Sequence, residues 1–446
     1  MVNNLHLVVS GIPQNQLRTL KWDLGTCLPG QLAHRINSIF KHQNQITSIS
    51  LITDSDCKVN KHRSCSINLV QLSKLRSLSW KGLKRYDDFE SVRGFIAAHG
   101  ARLRTLHLDL IGWDSARLAW TRGFRQKSPP DTGLPENFFA QCVLGLRHEE
   151  LRTPLPALQR LCLSQVSFSP MEIELVDALN VGKLQALQLT NCPGTFRFLR
   201  QIVRAGVPLK LKLLELTFNP EKLNQITDET QDNIAGTVKT FLEAFSGLTD
   251  LYLMLPSIVW DSIRGSITHH SATLRRLITH SLERTEYGGY EDGELFSSTY
   301  DHPSPAQTPG LEFFGASISL EHLAGYVGFD SVRQSPNLKI IHLRASGPMI
   351  SEQGTSQPPS SADGGLYKVA QWAFGPEGLL GLKVLAYGDF SYDGYYNRYN
   401  ILLCRDGDSY TELTVSNVRY WDLVREKMDV LGACAFDELI IGRGLP

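Results

Sequence analysis

Residues 75–110 carry the same apolar spacing twice, and this repetition constrains the fold more than any other feature of the sequence. In each copy, apolar residues follow a leucine at intervals of three, five and seven or eight residues: Leu75, Leu78, Trp80 and Leu83, then Leu103, Leu106, Leu108 and Leu110. Because side chains two residues apart share one face of a strand, each copy predicts a strand with one buried side. One such strand cannot cover its own apolar face, so further copies must stack beside it.

The residues between the two copies have the spacing of a short helix. Apolar residues in 87–99 recur on one helical face. Asp87 or Asp88 is predicted to cap the N-terminus of this helix, and Gly100 its C-terminus.

The pattern recurs along the whole chain. Strand starts are predicted at Leu17, Ile46, Leu75, Leu103, Leu158, Leu184, Leu211, Leu248, Leu274, Leu311, Leu338, Leu382, Tyr410 and Phe436. Most starts are 26 to 29 residues apart, and intervals of 55, 37, 37 and 44 indicate units with insertions or, for 55, a missed repeat. Leucine-rich repeats have periods of roughly 20–29 residues. The sequence therefore predicts a single α/β leucine-rich-repeat solenoid over residues 1–446, a curved horseshoe with a parallel sheet on its concave face and helices on its convex face.

Three stretches rich in Gly, Pro and Ser break the period. They lie near residues 112–134, 284–310 and 346–365 and are predicted to be loops or disordered segments. Insertions in a solenoid often emerge on one rim near the binding face, but surface loops also lengthen without acquiring a role. Both interpretations stay open for these insertions.

The charge of the chain is balanced overall but unevenly distributed. Residues 1–130 contain 19 Lys and Arg against 8 Asp and Glu, a formal charge of +11, and the remainder carries −11. This division can steer an acidic partner to the N-terminal part, orient self-association, or be a solvated surface without function.

Cysteine usage and hydropathy suggest a compartment. The eight cysteines are scattered without short paired spacings, which is typical of reduced intracellular proteins. The first residues lack the features of a secretory signal, and no apolar run reaches about 18 residues. We therefore expect a cytoplasmic or nuclear protein without a membrane partner.

No catalytic motif is complete in this sequence. A G-x-S-x-G elbow, an H-E-x-x-H motif and a P-loop are all missing. Two groups lack the ligands or spacing of zinc and calcium sites, and a third is more simply a helix-end cap: Cys57, His62 and Cys65; Asp406, Asp408 and Glu412; and His269, His270 and His280. We expect neither catalysis nor a cofactor or metal. A nucleic-acid partner is not favoured, because no recognised reading motif accompanies the basic N-terminal part.

Residues that alternate with the inward leucines are predicted to line the concave face. They form a mixed polar surface suited to a protein partner, without the convergent acid–base pair that catalysis requires. The predicted contact residues are Ser79, Lys81, His107, Asp109, Arg160, Gln188, Glu215, Tyr252, His342 and Arg344.

The runs LRSLSW, LRTLHLDL, LQRLCL and LTDLYLML, with their spacing and long irregular insertions, resemble the leucine-rich-repeat region of F-box proteins, particularly divergent fungal ones. The resemblance covers nearly the whole chain. It implies that the repeats hold a substrate for a cullin-based ubiquitin ligase, which such proteins contact through an N-terminal F-box. No LP-x-E-I-like segment is present, and residues 5–9 already alternate like a repeat strand. We expect the F-box to be missing or to belong to a preceding region.

These observations favour a non-catalytic protein-interaction scaffold, and the resemblance implies substrate recognition for a ubiquitin ligase. Two alternatives stay open. One is a regulatory leucine-rich-repeat protein that acts on a GTPase or another enzyme. The other is an enzyme whose site lies in the insertions.

Overall fold

The structure is a computed structural model with an α/β architecture. It describes residues 11–22, 30–53, 67–83, 86–110, 138–146, 152–169, 171–219, 230–255, 258–284, 290–292, 308–317, 337–345, 360–391, 400–414 and 420–435. The chain divides into two compact units between Lys210 and Leu211. A single solenoid over residues 1–446 stays a prediction.

The sheet of the first unit consists of six described parallel strands that follow one another in chain order. They are β1 (Thr19–Trp22), β2 (Ser48–Ile52), β3 (Ser77–Leu83), β4 (Thr105–Leu110), β5 (Arg160–Ser164) and β6 (Ala186–Thr190). The described α-helices are α1 (Gly30–His42), α2 (Tyr86–His99), α3 (Glu172–Ala178) and α4 (Thr195–Arg204). The described parts of the connections also contain three 3-10 turns and one π turn: Leu69–Gln71, Gly100–Arg102, Val181–Lys183 and Phe138–Val143.

The repeated leucines of the first unit meet on neighbouring strands. Leu78 is in register with Leu106, and Leu106 with Leu161, and all three are buried. The residues between the leucines of β4 are half-buried, so burial alternates along the strand. Full burial of each leucine contributes about 1.5–3 kcal/mol. The predicted orientation of Leu106 and Leu108 is confirmed.

Aromatic rings join successive connections of the first unit. Phe168 stacks on Phe198 with 4.6 Å between ring centroids, and Phe139 meets Phe168 edge-on at 6.2 Å. All three rings are buried, so the stack extends the core beyond the leucines.

The second unit contains ten described strands. They are β7 (Leu213–Thr217), β8 (Asp250–Met254), β9 (Arg276–His280), β10 (Leu282–Arg284), β11 (Tyr290–Asp292), β12 (Phe313–Ala316), β13 (Ile340–Leu343), β14 (Val384–Tyr387), β15 (Ile401–Asp406) and β16 (Ser409–Glu412). Its described helices are α5 (Gln231–Glu243), α6 (Ile258–Thr268), α7 (Ser360–Phe374), α8 (Trp421–Glu426) and α9 (Met428–Leu431). At α5, the Thr230 side chain accepts the Asn233 N–H as an N-cap.

The sheet of this unit is parallel from β7 to β14, in the order β7-β8-β9-β12-β13-β14, and then changes direction. Strand β15 pairs antiparallel with β14, and β16 antiparallel with β15. The predicted repeat strand at Tyr410 is therefore wrong, because Tyr410 lies in the second arm of a hairpin. The apolar alternation is the same in both directions, so spacing alone did not separate them.

Twelve predicted strand starts, from Leu17 to Leu382, each lie two residues before a described strand. The first leucine of each repeat lies in the turn, as the bond from Leu103 N–H to the Gly100 carbonyl at 3.0 Å illustrates. The start at Phe436 and the alternation at residues 5–9 lie outside the described residues.

The predicted caps of α2 need correction. The helix begins at Tyr86, so Asp87 and Asp88 lie within it and neither occupies the N-cap position. Gly100 begins a 3-10 turn and is not a left-handed cap. A Cβ at Gly100 would lie 2.7 Å from the Pro154 carbonyl oxygen, so close approach of the next connection explains the glycine.

The predicted insertions are only partly described. The region 112–134 lies outside the described residues. Within 284–310, β10 and β11 form a small antiparallel sheet, so part of this stretch is regular. Helix α7 begins at Ser360, so the loop predicted for 346–365 is wrong at its end. None of the described helices has both the length and the apolar character needed to cross a membrane.

Candidate binding face

The polar face of the first unit consists of the strand side chains that alternate with the buried leucines. In its middle row, Ser50, Ser79, His107, Cys162 and Gln188 are in register on five consecutive strands. All five are half-buried, so each presents part of its surface. Neighbouring strands are about 4.8 Å apart, and the row therefore offers closely spaced polar groups on a rigid support.

The predicted contact residues of the first unit lie on this face. Ser79, Lys81, His107, Asp109 and Gln188 are half-buried, whereas Arg160 is exposed. The structure brings them together in adjacent register positions.

The side chains at the centre of the polar face carry balanced charges or none. Lys81 is in register with Asp109, which places opposite charges on neighbouring strands. Burial and the charge of Lys81 lower the pKa of His107 to about 3, so its ring is neutral at physiological pH. The centre therefore offers neutral hydrogen-bonding groups beside one balanced pair of charges.

The corresponding face of the second unit is buried, which contradicts four predicted contact residues. Glu215, Tyr252, His342 and Arg344 were expected to be exposed, but their exposed fractions are 7%, 2%, 0% and 3%. Glu215, Tyr252 and His342 share one row of register positions, and Arg344 directly follows β13. The error arises because residues 420–435 and residues 388–391, which the repeat spacing does not locate, cover this face.

One of the parts of the chain that cover the face of the second unit is the C-terminal segment, defined as residues 420–435. Cys434 donates its backbone N–H to Oε1 of Glu215 at 2.8 Å, and Arg344 donates Nη1–H to the Ala433 carbonyl at 3.0 Å. Earlier in the segment, the Asp429 carboxylate accepts a hydrogen bond from Arg276 Nη1 at 2.8 Å. The segment thus contacts β7, β9 and the end of β13 through both backbone and side chains.

The Arg344 guanidinium lies in a second buried network. It donates to Asp389 at 3.2 Å and to the Ser391 hydroxyl at 3.4 Å. The side chains of Arg344 and Asp389 are fully buried, so each depends on the other to offset its desolvation. This ion pair therefore serves the structure of the second unit, and its position is unsuited to contact with a partner.

The histidines beside this network are neutral. Nε2 of His342 lies 2.9 Å from the Gly388 carbonyl oxygen, which can only accept, so Nε2 carries the proton. Burial and the charge of Arg344 lower the pKa of His342 to about 4. Burial and the same charge hold the pKa of His280 well below its ordinary value. Both rings act as packing groups, 5.8 Å apart.

The candidate metal ligands do not converge in the described part of the chain, where no group of three His, Cys, Asp or Glu side chains is placed to hold an ion. His270 uses Nε2 to contact the Leu242 carbonyl at 3.0 Å. Asp406 is in register with Ser409 at the turn of the β15–β16 hairpin. Cys57, His62 and Cys65 lie outside the described residues.

Comparison with protein families and with curated proteins assigns no role to this face. No family model matches the chain. No curated protein matches it either. Function is therefore inferred from the residues themselves.

Two features of the faces were missed by sequence reasoning. The repeat spacing located the strands but carried no information on the C-terminal segment that covers the second face. The second feature is a series of basic residues beside the first leucine of the repeats. The net charge of residues 1–130 includes most of these residues but does not show that they align. The sequence contains a signal for this series, because a basic residue recurs within two residues of the first leucine in most repeats of the first unit.

Proposed function

We propose that this chain is a non-catalytic scaffold that binds a partner protein on the polar face of its first unit. The contrast between the two faces carries this proposal. The first face presents half-buried polar groups in register, whereas the second is already occupied by the C-terminal segment. A wide, rigid surface of modest polar contacts suits recognition of another folded protein.

The leucine-rich-repeat architecture is part of this proposal. Its support comes from the regular spacing, the parallel strands and the turn position of each first leucine. Cys192 adds a further feature, since it stands eight residues after Leu184, where the repeat pattern has Asn or Cys. Its Sγ–H donates to the Leu163 carbonyl at 3.3 Å, which links one repeat to the preceding one.

The specific role that we propose is substrate recognition for a cullin-based ubiquitin ligase. The resemblance of the repeats to those of F-box proteins supports it. Polar groups in register across five strands give the polar face a wide surface on which such a substrate can be held.

Partner capture tests the proposed function. The unaltered chain and the triple variant Lys81→Ala, His107→Ala and Gln188→Ala are immobilised and compared for the partners that they retain from their native cells. We expect the triple variant to lose a partner that the wild type retains. The control carries Lys41→Ala and Arg197→Ala on helices α1 and α4, where both side chains are exposed.

Retention of every partner by the triple variant would show that the polar face is not the binding surface. The ligase role has a separate readout. This chain has no LP-x-E-I-like segment, so raising its cellular level should sequester the captured partner from the ligase and lengthen that partner's half-life. An unchanged half-life would contradict the proposed substrate recognition for a ligase but would not contradict the scaffold role.

A further inference from the structure

A row of basic side chains follows the edge of the first unit where its strands begin. These residues, the basic edge, lie within two residues of the first leucine of a repeat or at the following strand start, and all are exposed: Arg18, Lys74, Arg76, Arg102, Arg104, Arg160 and Lys183. The edge adjoins the polar face, because Arg160 belongs to both.

Backbone hydrogen bonds fix this row in place. Thr47 N–H donates to the Arg18 carbonyl, Arg76 N–H to the Thr47 carbonyl, and Arg104 N–H to the Arg76 carbonyl, each at 2.8 Å. Gln159 N–H continues the series to the Arg104 carbonyl at 2.8 Å. Arg76 and Arg104 therefore lie side by side immediately before the adjacent strands β3 and β4, which are about 4.8 Å apart in the hydrogen-bonding direction.

The basic edge has no acidic counterpart among the described residues that share its positions. Lys74 donates to the Gln45 side chain at 2.9 Å, Arg102 to the Ser73 carbonyl at 3.3 Å, and Lys183 to the Pro156 carbonyl at 3.1 Å. These acceptors are neutral, so they orient the side chains without cancelling their charge. Like charges on adjacent strands repel and reduce stability. The centre of the polar face differs, because Lys81 there has Asp109 in register.

We propose that the basic edge receives an acidic segment of the partner protein, rich in Asp and Glu, while the polar face contacts the remainder. This inference rests on the proposed function and adds the chemistry of the partner. Carboxylates pair well with a row of arginines, since each guanidinium can donate two parallel hydrogen bonds to one carboxylate. An extended peptide that crosses the edge where the strands begin can pair with several of these side chains in turn.

The neighbouring surface favours a peptide over a nucleic acid. Proteins that bind single strands combine basic grooves with aromatic side chains on which bases stack. In the described strands of the first unit, Trp22 and Trp80 are buried on the leucine side. The polar face offers serines, threonines and a neutral histidine, which suit a polypeptide backbone better than a base.

Fluorescence anisotropy with a labelled glutamate-rich peptide of about ten residues tests this inference. The full chain should bind the peptide at low salt and lose affinity as salt rises, because the contacts are exposed. The double reversal Arg76→Glu and Arg104→Glu should weaken binding at least about tenfold, which corresponds to about 1.4 kcal/mol. Its thermal unfolding midpoint should not fall, since both side chains are exposed.

The control carries Lys239→Glu and Lys368→Glu, two exposed lysines on α5 and α7, and changes the net charge equally. It should bind the peptide like the wild type. Equal weakening in both variants, or no binding by the wild type, would overturn the proposal. Tighter binding of a single-stranded RNA of equal charge would also overturn it in favour of nucleic acid.

Failure of this inference can be told from failure of the proposed function. If the polar-face triple variant loses its partner while Arg76→Glu with Arg104→Glu retains it, the scaffold stands and the acidic segment is excluded. If the triple variant retains every partner, the proposed function fails whatever the peptide does.

Discussion

Glu215 and Cys434 meet across 219 residues of sequence, through a 2.8 Å hydrogen bond from the Cys434 backbone N–H to Oε1 of Glu215. Cys434 has φ of 60°, a left-handed conformation that residues other than glycine adopt infrequently. Burial and the charge of Glu215 raise the pKa of its thiol, so the group is neutral. The contact therefore holds the C-terminal segment in a specific conformation against the second unit.

Removing this acceptor should destabilise the second unit. Glu215→Leu leaves the Cys434 N–H without a partner, and we expect a loss of about 1–3 kcal/mol in the free energy of unfolding. Glu215→Gln keeps an acceptor oxygen and should cost less. Urea unfolding of both variants measures the difference. Equal loss in the two would show that the hydrogen bond is not what Glu215 supplies.

Strand β4 provides an internal comparison of its two sides. Leu108 is 1% exposed, and Leu108→Ala should lower the free energy of unfolding by about 2–5 kcal/mol because it leaves a cavity. His107 is half-buried on the polar face, and His107→Ala should cost far less. Similar losses in the two variants would contradict the assigned faces of β4.

The buried pair of Arg344 and Asp389 should be intolerant of single changes. Arg344→Met leaves the Asp389 charge buried and unpaired, and we expect a cost of about 3–5 kcal/mol. Adding Asp389→Asn should give a double variant that is less destabilised than the sum of the two single variants. Denaturant unfolding measures all three, and strict additivity would argue against the pair.

Acid should weaken the second unit through His342. Its pKa is about 4 in the folded chain and about 6.5 in the unfolded chain, so the unfolded chain binds more protons between these values. Stability is therefore undiminished above pH 6.5 and falls toward pH 4, by up to about 1.4 kcal/mol per pH unit from this group.

Unfolding measured from pH 7 to pH 4 should show a shallower decline in His342→Gln than in the wild type. His34→Gln, which changes an exposed histidine of α1, is the control and should follow the wild type. An identical decline in His342→Gln and the wild type would contradict a buried neutral His342.

The repeat positions were predictable because local spacing encodes them. The spacing of Leu106 and Leu108 predicts a strand and its buried side from a few residues of sequence. Tyr410 shows the limit, since its alternation is equally compatible with parallel and antiparallel pairing, and only the preceding strand β15 decides. Glu215 shows a second limit of prediction, because it is buried and bonded to Cys434, which periodicity does not connect to β7. The polar face of the first unit was therefore predicted better than the second.

Site-specific photocrosslinking tests the central claim most directly. A photoreactive residue at Gln188 lies on the polar face, and one at Ile173, which is 65% exposed on α3, lies outside it. Irradiation of each protein in its native cells should join the partner to the Gln188 position and leave the Ile173 position unlinked. Crosslinks from Ile173 with none from Gln188 would contradict a partner-binding face on the sheet of the first unit.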